Sequence, residues 1–374
     1  FFYFLLQKGR PLMMGKYDKD VQSRIKKLRD NGASISWHTA VAVARSIIEV
    51  KDHANLHRYN FSEPWARSLF IRMNLSHRAV TTGKLTMPDC LISEVKMSFT
   101  REIAKLVTDN QIPDDMVINF DQTPIQYCPS SRYTMAPKGS SKISINGAAD
   151  KRSLTALVAV TMGGGILPFQ LIYKGLTERS LPKSQYYPDS FHVLANQNHW
   201  SNEETMLDFA DKILKPYINS KREVHGQDKP CLLIFDQFKA HLTQSFTEKV
   251  QELNGRVVMV PPNMTDYLQP LDLSFNKSLK NFVTNEYNLW YSEKVAHIDP
   301  DKPESHKQLC DVIKSGVEMR DLSGVWLTKA YEHYQLPAQR DIIVNGFKAA
   351  GILDHCVSGP IEDDPFADLV TSEC

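Results

Sequence analysis

A chain of 374 residues is too long for one compact core, so two or three structural units are expected. Hydrophobic residues at 42% and charged residues at 23% are ordinary for a soluble globular protein. The net charge of +1 says nothing of partners, but residues 1–112 hold 18 Lys and Arg against 10 Asp and Glu. A basic front end suggests an N-terminal polyanion contact, and a solvated surface explains the count as well.

Three helices are predicted near the start. Val21, Ile25 and Leu28 share one face of the first, which stops at Asn31-Gly32. Trp37, Val41, Ala44 and Ile48 mark the second. The third opens at Ser62-Glu63-Pro64, a cap followed by an N-terminal proline, and carries Trp65, Leu69 and Met73. A polar, basic stretch from Ser76 through His77 and Arg78 to Lys84 follows. Small helical units with basic ends are typical of helix-turn-helix DNA binders, and a plain helical bundle fits the periodicity equally. Ile92, Val95, Phe99, Ile103 and Leu106 then predict a long amphipathic helix ending before Pro113, a connector over 88–112.

From residue 116 the pattern changes to strands. Residues 116–120 run into Asp121. Two apolar runs, 154–161 and 167–173, flank Met162-Gly163-Gly164-Gly165-Ile166, which reads as a hairpin turn. No helix with Lys-Ser/Thr follows those glycines, which argues against a phosphate cradle. A helix at about 202–218 precedes a strand at 231–235 that ends in Asp236. A helix near 244–253, a strand at 256–260, a break at Pro261-Pro262 and a helix from about Pro270 past Phe282 complete the alternation. Residues 291–374 read as mostly helical, with Ile342, Ile343, Phe347 and Ala350 on one face. The expected fold is α/β, a mixed sheet with flanking helices preceded by a helical region. The boundaries expected are 1–87, 88–112, 113–290 and 291–374.

Cys90, Cys128, Cys231, Cys310, Cys356 and Cys374 form no CxxC pair, which argues against a disulfide framework or a thiolate zinc site. His53 and His57 have the spacing of a helical metal pair but no third ligand, so solvent-facing histidines are the expectation. The apolar opening at residues 1–6 is too short to span a bilayer, and no membrane partner is expected. Because the chain begins with Phe1, the true N-terminus is expected to lie upstream.

Two strands each ending in an aspartate, and a third aspartate, Asp272, opening a helix, suggest one crevice. Carboxylates at the ends of adjacent strands converge there. Three of them would repel one another unless hard cations such as Mg²⁺ neutralised the charge. Two such ions activate the attacking oxygen of a phosphodiester displacement and stabilise the leaving one. Singly, each has a plainer reading: an Asx turn for Asp121, a loop cap for Asp236 and a helix N-cap for Asp272.

The motifs around these residues resemble pogo/Tigger-type transposases of the DDE superfamily. Asn119-Phe120-Asp121-Gln122-Thr123-Pro124 is similar to the family's first-aspartate motif, and residues 234–241, Ile234 through His241, to the second. Leu268-Gln269-Pro270-Leu271-Asp272, continuing to Lys277, is similar to the third. Residues 146–152, 171–175 and 199–204 also match the family pattern, and the likeness spans roughly 112–290. The resemblance implies a ribonuclease-H-like core, with Asp121, Asp236 and Asp272 as catalytic residues and ligands of two Mg²⁺ or Mn²⁺ ions. Asn276, one helical turn after Asp272, would contact metal or phosphate. Lys277 and Lys280 would meet phosphates or serve only as helix charges, and His241 would support the site or simply pack. The front region resembles the second half of a centromere-protein-B-type DNA-binding domain, so Arg72, His77, Arg78 and Lys84 are the expected DNA contacts.

The function this implies is metal-dependent hydrolysis and strand transfer on double-stranded DNA, in the nucleus, by a homodimer that pairs two DNA ends. The alternatives are a domesticated nuclear DNA-binding protein without transposition and a nuclease acting on RNA or hybrids.

Overall fold

The computed structural model describes residues 12–30, 33, 35–76, 89–129, 152–298, 302, 304, 307, 311 and 315–357. It divides into two compact units, Phe1–Pro88 and Asp89–Cys374.

The first unit holds helices α1 (Asp18–Asp30), α2 (Trp37–Lys51) and α3 (Glu63–Arg72). Val21 and Ile25, one turn apart on α1, are fully buried against Ala40, Val43, Ala44, Ile47 and Ile48 of α2 and Ala66 and Leu69 of α3. α2 starts where Ser36 and Thr39 cap each other's backbone N–H groups, both at 3.2 Å. Ser62 precedes α3 as expected, yet its side chain makes no capping bond, and Pro64 sets that start instead. His53 and His57 lie exposed in a 3₁₀ turn, His53–Arg58. At three residues per turn, positions four apart leave a common face, so the pair cannot act together.

The second unit opens with α4 (Asp89–Asn110), which packs on the late helix α12 (Ile352–Val357). Its sheet contains β1 (Val117–Gln126), β2 (Ser153–Thr161), β3 (Gln170–Lys174), β4 (His192–Asn196), β5 (Cys231–Phe235) and β6 (Gly255–Met259). The order across the sheet is β4-β3-β2-β1-β5-β6. β2 runs antiparallel to both neighbours, while β5 and β6 run parallel to β1. Five strands in the order β3-β2-β1-β5-β6 with β2 alone reversed make a ribonuclease-H-like sheet, extended here by β4, parallel to β3.

The β2–β3 hairpin turns through the glycine run as expected. Thr161 and Ile166 lie at its mouth, Val160 bridges to Ile166, and the Thr161 hydroxyl accepts from the Gly165 N–H at 2.9 Å. Gly164 has φ +83°, a left-handed conformation that side chains disfavour.

β1 departs from expectation. It does not end at Asp121 but continues for five residues to Gln126, paired with β2 throughout. Its pairing with β5 is confined to Val117–Asn119, so beyond Asn119 β1 is locally an edge strand. An edge tolerates Pro124, which reads as a strand breaker in sequence.

Helices cover both faces. Successive β1 side chains alternate. Phe120 meets Phe209, Phe235 and Phe246 on one face, with ring centroids 5.3, 4.8 and 6.2 Å away. Burying such a ring contributes about 2–3 kcal/mol. That face is covered by α5 (Glu203–Phe209), a π-helical turn (Ala210–Leu214), α6 (Lys215–His225) and α7 (Gln244–Glu252). The helix expected at 202–218 therefore runs on to His225. Asn119 and Asp121 point to the other face. There lie the short α8 (Thr265–Leu268), a π-helical turn (Leu271–Phe275), α9 (Asn276–Ala296), α10 (Gly316–Gln335) and α11 (Arg340–Ala349). Ile343, Phe347 and Ala350 are buried as predicted. No helix among the described residues is long and apolar enough to cross a membrane.

Candidate active site

The register of β1 on β5 sets the site. Val117 pairs with Leu232 and Asn119 with Ile234; the same offset two residues on brings Asp121 alongside Asp236, the first residue past β5. Because β5 stops there while β1 continues, a crevice opens between them.

Asp272 arrives by a different route. Asn119, fully buried in β1, donates to the Ile234 carbonyl at 2.8 Å and to Gln269 Oε1 at 3.2 Å. Its own oxygen accepts the Leu271 N–H at 3.0 Å, and Gln269 donates to the Phe120 carbonyl at 3.2 Å. The three bonds to Gln269 and Leu271 fasten the segment carrying Asp272 onto β1, and the one to Ile234 ties β1 to β5. Asp272 is the second residue of the π-helical turn, and its continuation supplies Asn276. The Asn276 amide donates to Asp121 Oδ2 at 3.0 Å and to Asp272 Oδ1 at 2.8 Å, bridging the two carboxylates.

Asp121 is 8% exposed. Burial, then the charge of Asp272 and to a lesser degree that of Asp236, push its carboxyl up to about 7, against the backbone at Gln122 and the Asn276 amide. Burial also acts to raise Asp236. There the His241 hydrogen bond, with the Phe238 amide, wins and holds the carboxyl below its ordinary value. His241 Nδ1 lies 2.9 Å from Asp236 Oδ1, and the Phe238 N–H donates to the same oxygen at 3.3 Å.

Oxygen donors dominate the crevice, which suits a hard divalent ion rather than zinc. Asn276 Oδ1 is buried without a hydrogen-bond partner beside both carboxylates, an acceptor for a cation. Among the described residues no three His, Cys, Asp or Glu side chains form a closed ligand set. The Asn276 amide stands between Asp121 and Asp272, and His241 engages one oxygen of Asp236. The donor set, carboxylate oxygens with the unpartnered Asn276 Oδ1 among them, is of the kind a hard divalent ion takes.

The remaining predicted residues divide. His241 is 2% exposed and touches Asp236. Lys277 and Lys280 are exposed on α9, and Lys280 lines a cavity of about 310 Å³ with Pro124, Gln126, Pro129 and Thr284. Arg72 bonds Asp18 at 2.7 Å and Ser68 at 2.9 Å, so its guanidinium is tied into its own unit. His77, Arg78 and Lys84, and residues 146–151 of the family pattern, lie outside the described residues. Sequence reasoning missed Asn119 and Gln269 as supports of the site. The signal was there: each is a polar residue set inside an apolar run, Ile118-Asn119-Phe120 and Leu268-Gln269-Pro270-Leu271.

Residues 151–330 match the family model of the DDE superfamily endonuclease, a span that includes Asp236 and Asp272. A human protein, "Pogo transposable element with KRAB domain", is 24% identical over 276 residues, 73% of this chain and 43% of its own length. Its Mus musculus counterpart is 24% identical over 279 residues with the same coverage. The chain thus spans under half the length of these curated relatives. Among solved structures, a Mos1 transposase paired-end complex with left transposon end aligns at TM-score 0.46 and 10% identity, over 88% of this chain and 82% of that one. Residues 151–330, a little under half of the chain, are thus similar to the DDE superfamily endonucleases, and the chain as a whole is similar to pogo-type transposable-element proteins.

Proposed function

We propose that this chain carries out metal-dependent cleavage and strand transfer of double-stranded DNA, with Asp121, Asp236 and Asp272 as catalytic residues. The observation that carries the reading is the Asp121 carboxyl, buried at the sheet centre and pushed up to about 7 by burial and by two neighbouring carboxylates. A protein has little reason to gather that much unbalanced charge except to hold cations, and perturbed carboxyls in a crevice mark functional sites. Two Mg²⁺ or Mn²⁺ ions, when bound, would stabilise the charge on the attacking and leaving oxygens of the phosphodiester.

The protein's own residues bind and orient. Asn276 keeps Asp121 and Asp272 at a fixed separation, and Asn119 and Gln269 hold the segment they stand on. Lys277 and Lys280, exposed on the same helix, would meet strand phosphates. The basic excess before residue 113 is the proposed duplex contact, with 1–87 as a helix-turn-helix-type DNA-binding region, 88–112 as connector, 113–290 as catalytic domain and 291–374 as a helical addition. Work on chromosomal DNA assigns the protein to the nucleus, and pairing two DNA ends calls for a homodimer.

Asparagine separates this reading from three capping aspartates, because it removes charge yet caps helices and turns well. Asp121→Asn and Asp272→Asn should each abolish Mg²⁺- or Mn²⁺-dependent nicking of supercoiled plasmid while DNA binding and melting persist. Nicking that survives in both variants would sink the mechanism.

A further inference from the structure

The face of the sheet opposite Asp121 carries a polar contact that the reaction scheme above does not use. His241 is buried among rings, with Phe120, Phe235 and Phe238 edge-on at centroid distances of 5.3, 5.4 and 5.5 Å. Its Nδ1 lies 2.9 Å from Asp236 Oδ1 and 3.2 Å from the Asp236 carbonyl oxygen. Its Nε2 lies 3.1 Å from Nε2 of Gln122, the residue next to Asp121 on β1. The same Gln122 nitrogen is 3.7 Å from the Met206 sulfur.

The donor and acceptor roles follow from these contacts. A thioether sulfur only accepts, so the nitrogen end of the Gln122 amide belongs on that side. An amide nitrogen only donates, so His241 Nε2 must accept and carries no proton. The ring proton then sits on Nδ1, facing two oxygens of Asp236. Because strand side chains alternate, Gln122 reaches this face while its neighbour Asp121 reaches the other. The contact therefore ties the second aspartate to the strand that bears the first, from beneath the sheet.

We infer that His241, fixed in its Nδ1–H form by Gln122, is a positioning residue that holds Asp236 by Oδ1 and leaves Oδ2 turned to the crevice for a divalent cation. The inference rests on the proposed metal-dependent function. Ligating carboxylates need such outer partners, whose loss commonly weakens metal binding by about 10- to 100-fold. A glutamate at position 122 could only accept, and would require a proton on Nε2 instead.

Two measurements on the full chain test this. In metal-free protein, ¹⁵N NMR should show the His241 ring protonated at Nδ1 and bare at Nε2; the reverse tautomer overturns the inference. Calorimetric Mn²⁺ titration then compares two substitutions whose melting is checked alongside. His241→Asn places an amide donor near the Nδ1 position, and His241→Gln places one near Nε2. His241→Asn should bind within about threefold of wild type, and His241→Gln about 10- to 100-fold more weakly. Equal affinities in the two variants overturn the inference. Should either variant fail to fold, the wild-type tautomer decides alone. A wild-type chain that binds no Mn²⁺ at all refutes the metal-dependent function, whereas the ring's proton position is read independently of that result.

Discussion

An ionised aspartate in the middle of a sheet costs free energy until something positive sits beside it. For Asp121 the folded carboxyl titrates near 7 against an ordinary 3.8, so between those values the folded state keeps a proton that the unfolded state has released. Its contribution to stability is then greatest below about pH 4 and declines as pH rises toward 7. Three units correspond to at most ~4 kcal/mol. In chelator, Asp121→Asn should therefore melt above wild type at pH 8 and alongside it near pH 4; parallel curves at both pH values would contradict the cost. Asp236 has the opposite sign, since its lowered carboxyl contributes stability above its ordinary range that is lost as pH falls. Mn²⁺ should raise the wild-type melting temperature, by the equivalent of about 2.7 kcal/mol at a hundredfold excess over Kd, and raise that of Asp121→Asn less. At this scale the three aspartates were legible in sequence because each sits at a change of pattern. Asn119 and Gln269 were not, because a buried polar side chain makes sense only beside its partner, and these partners lie 150 residues apart in the chain.

Asp272 depends on how its π-helical turn is seated between β1 and α11. Ser274 donates to the Ile342 carbonyl at 2.5 Å, and Gly346 of α11 lies directly against the Pro270 carbonyl. A Cβ at position 346 would overlap that backbone oxygen, which cannot swing away as a flexible side chain could. Alanine normally favours a helix interior over glycine by about 1 kcal/mol. Gly346→Ala should do the reverse here, lowering the melting temperature and, by displacing the turn that bears Asp272, weakening Mn²⁺ binding. A stabilised variant with unchanged metal affinity would show that α11 and the turn are not rigidly seated. Helices were the most legible elements, since their apolar residues recur with the helical period, as Val21 and Ile25 or Ile343 and Phe347 do. β4 escaped notice because all five residues are half-buried, so no alternation marks it. The far half of β1 escaped because Pro124 mimics a stop where the strand has only one partner.

The division into two units gives the largest-scale expectation. Residues of α1, α2 and α3 bury their apolar faces on one another, with Val21, Ile25, Ala44, Ile48 and Leu69 fully enclosed within that unit. α4 packs instead on α12 and belongs with the sheet. Removing residues 1–88 should thus leave 89–374 folded, with the sheet's melting transition preserved. What should go is duplex affinity. That segment carries all of the basic excess that precedes residue 113, and Arg72, held by Asp18, contributes less to duplex affinity than sequence suggests. Each lost phosphate contact should flatten the slope of log affinity against log salt by about 0.9. If several contacts reside in the first unit, the truncated chain should bind duplex DNA weakly and with a shallow salt dependence. It should also keep its Mn²⁺ affinity, because Asp121, Asp236 and Asp272 all lie in the second unit. Unchanged DNA affinity and slope after the deletion would move the contacts to the second unit, where Lys277 and Lys280 on α9 become the first residues to substitute.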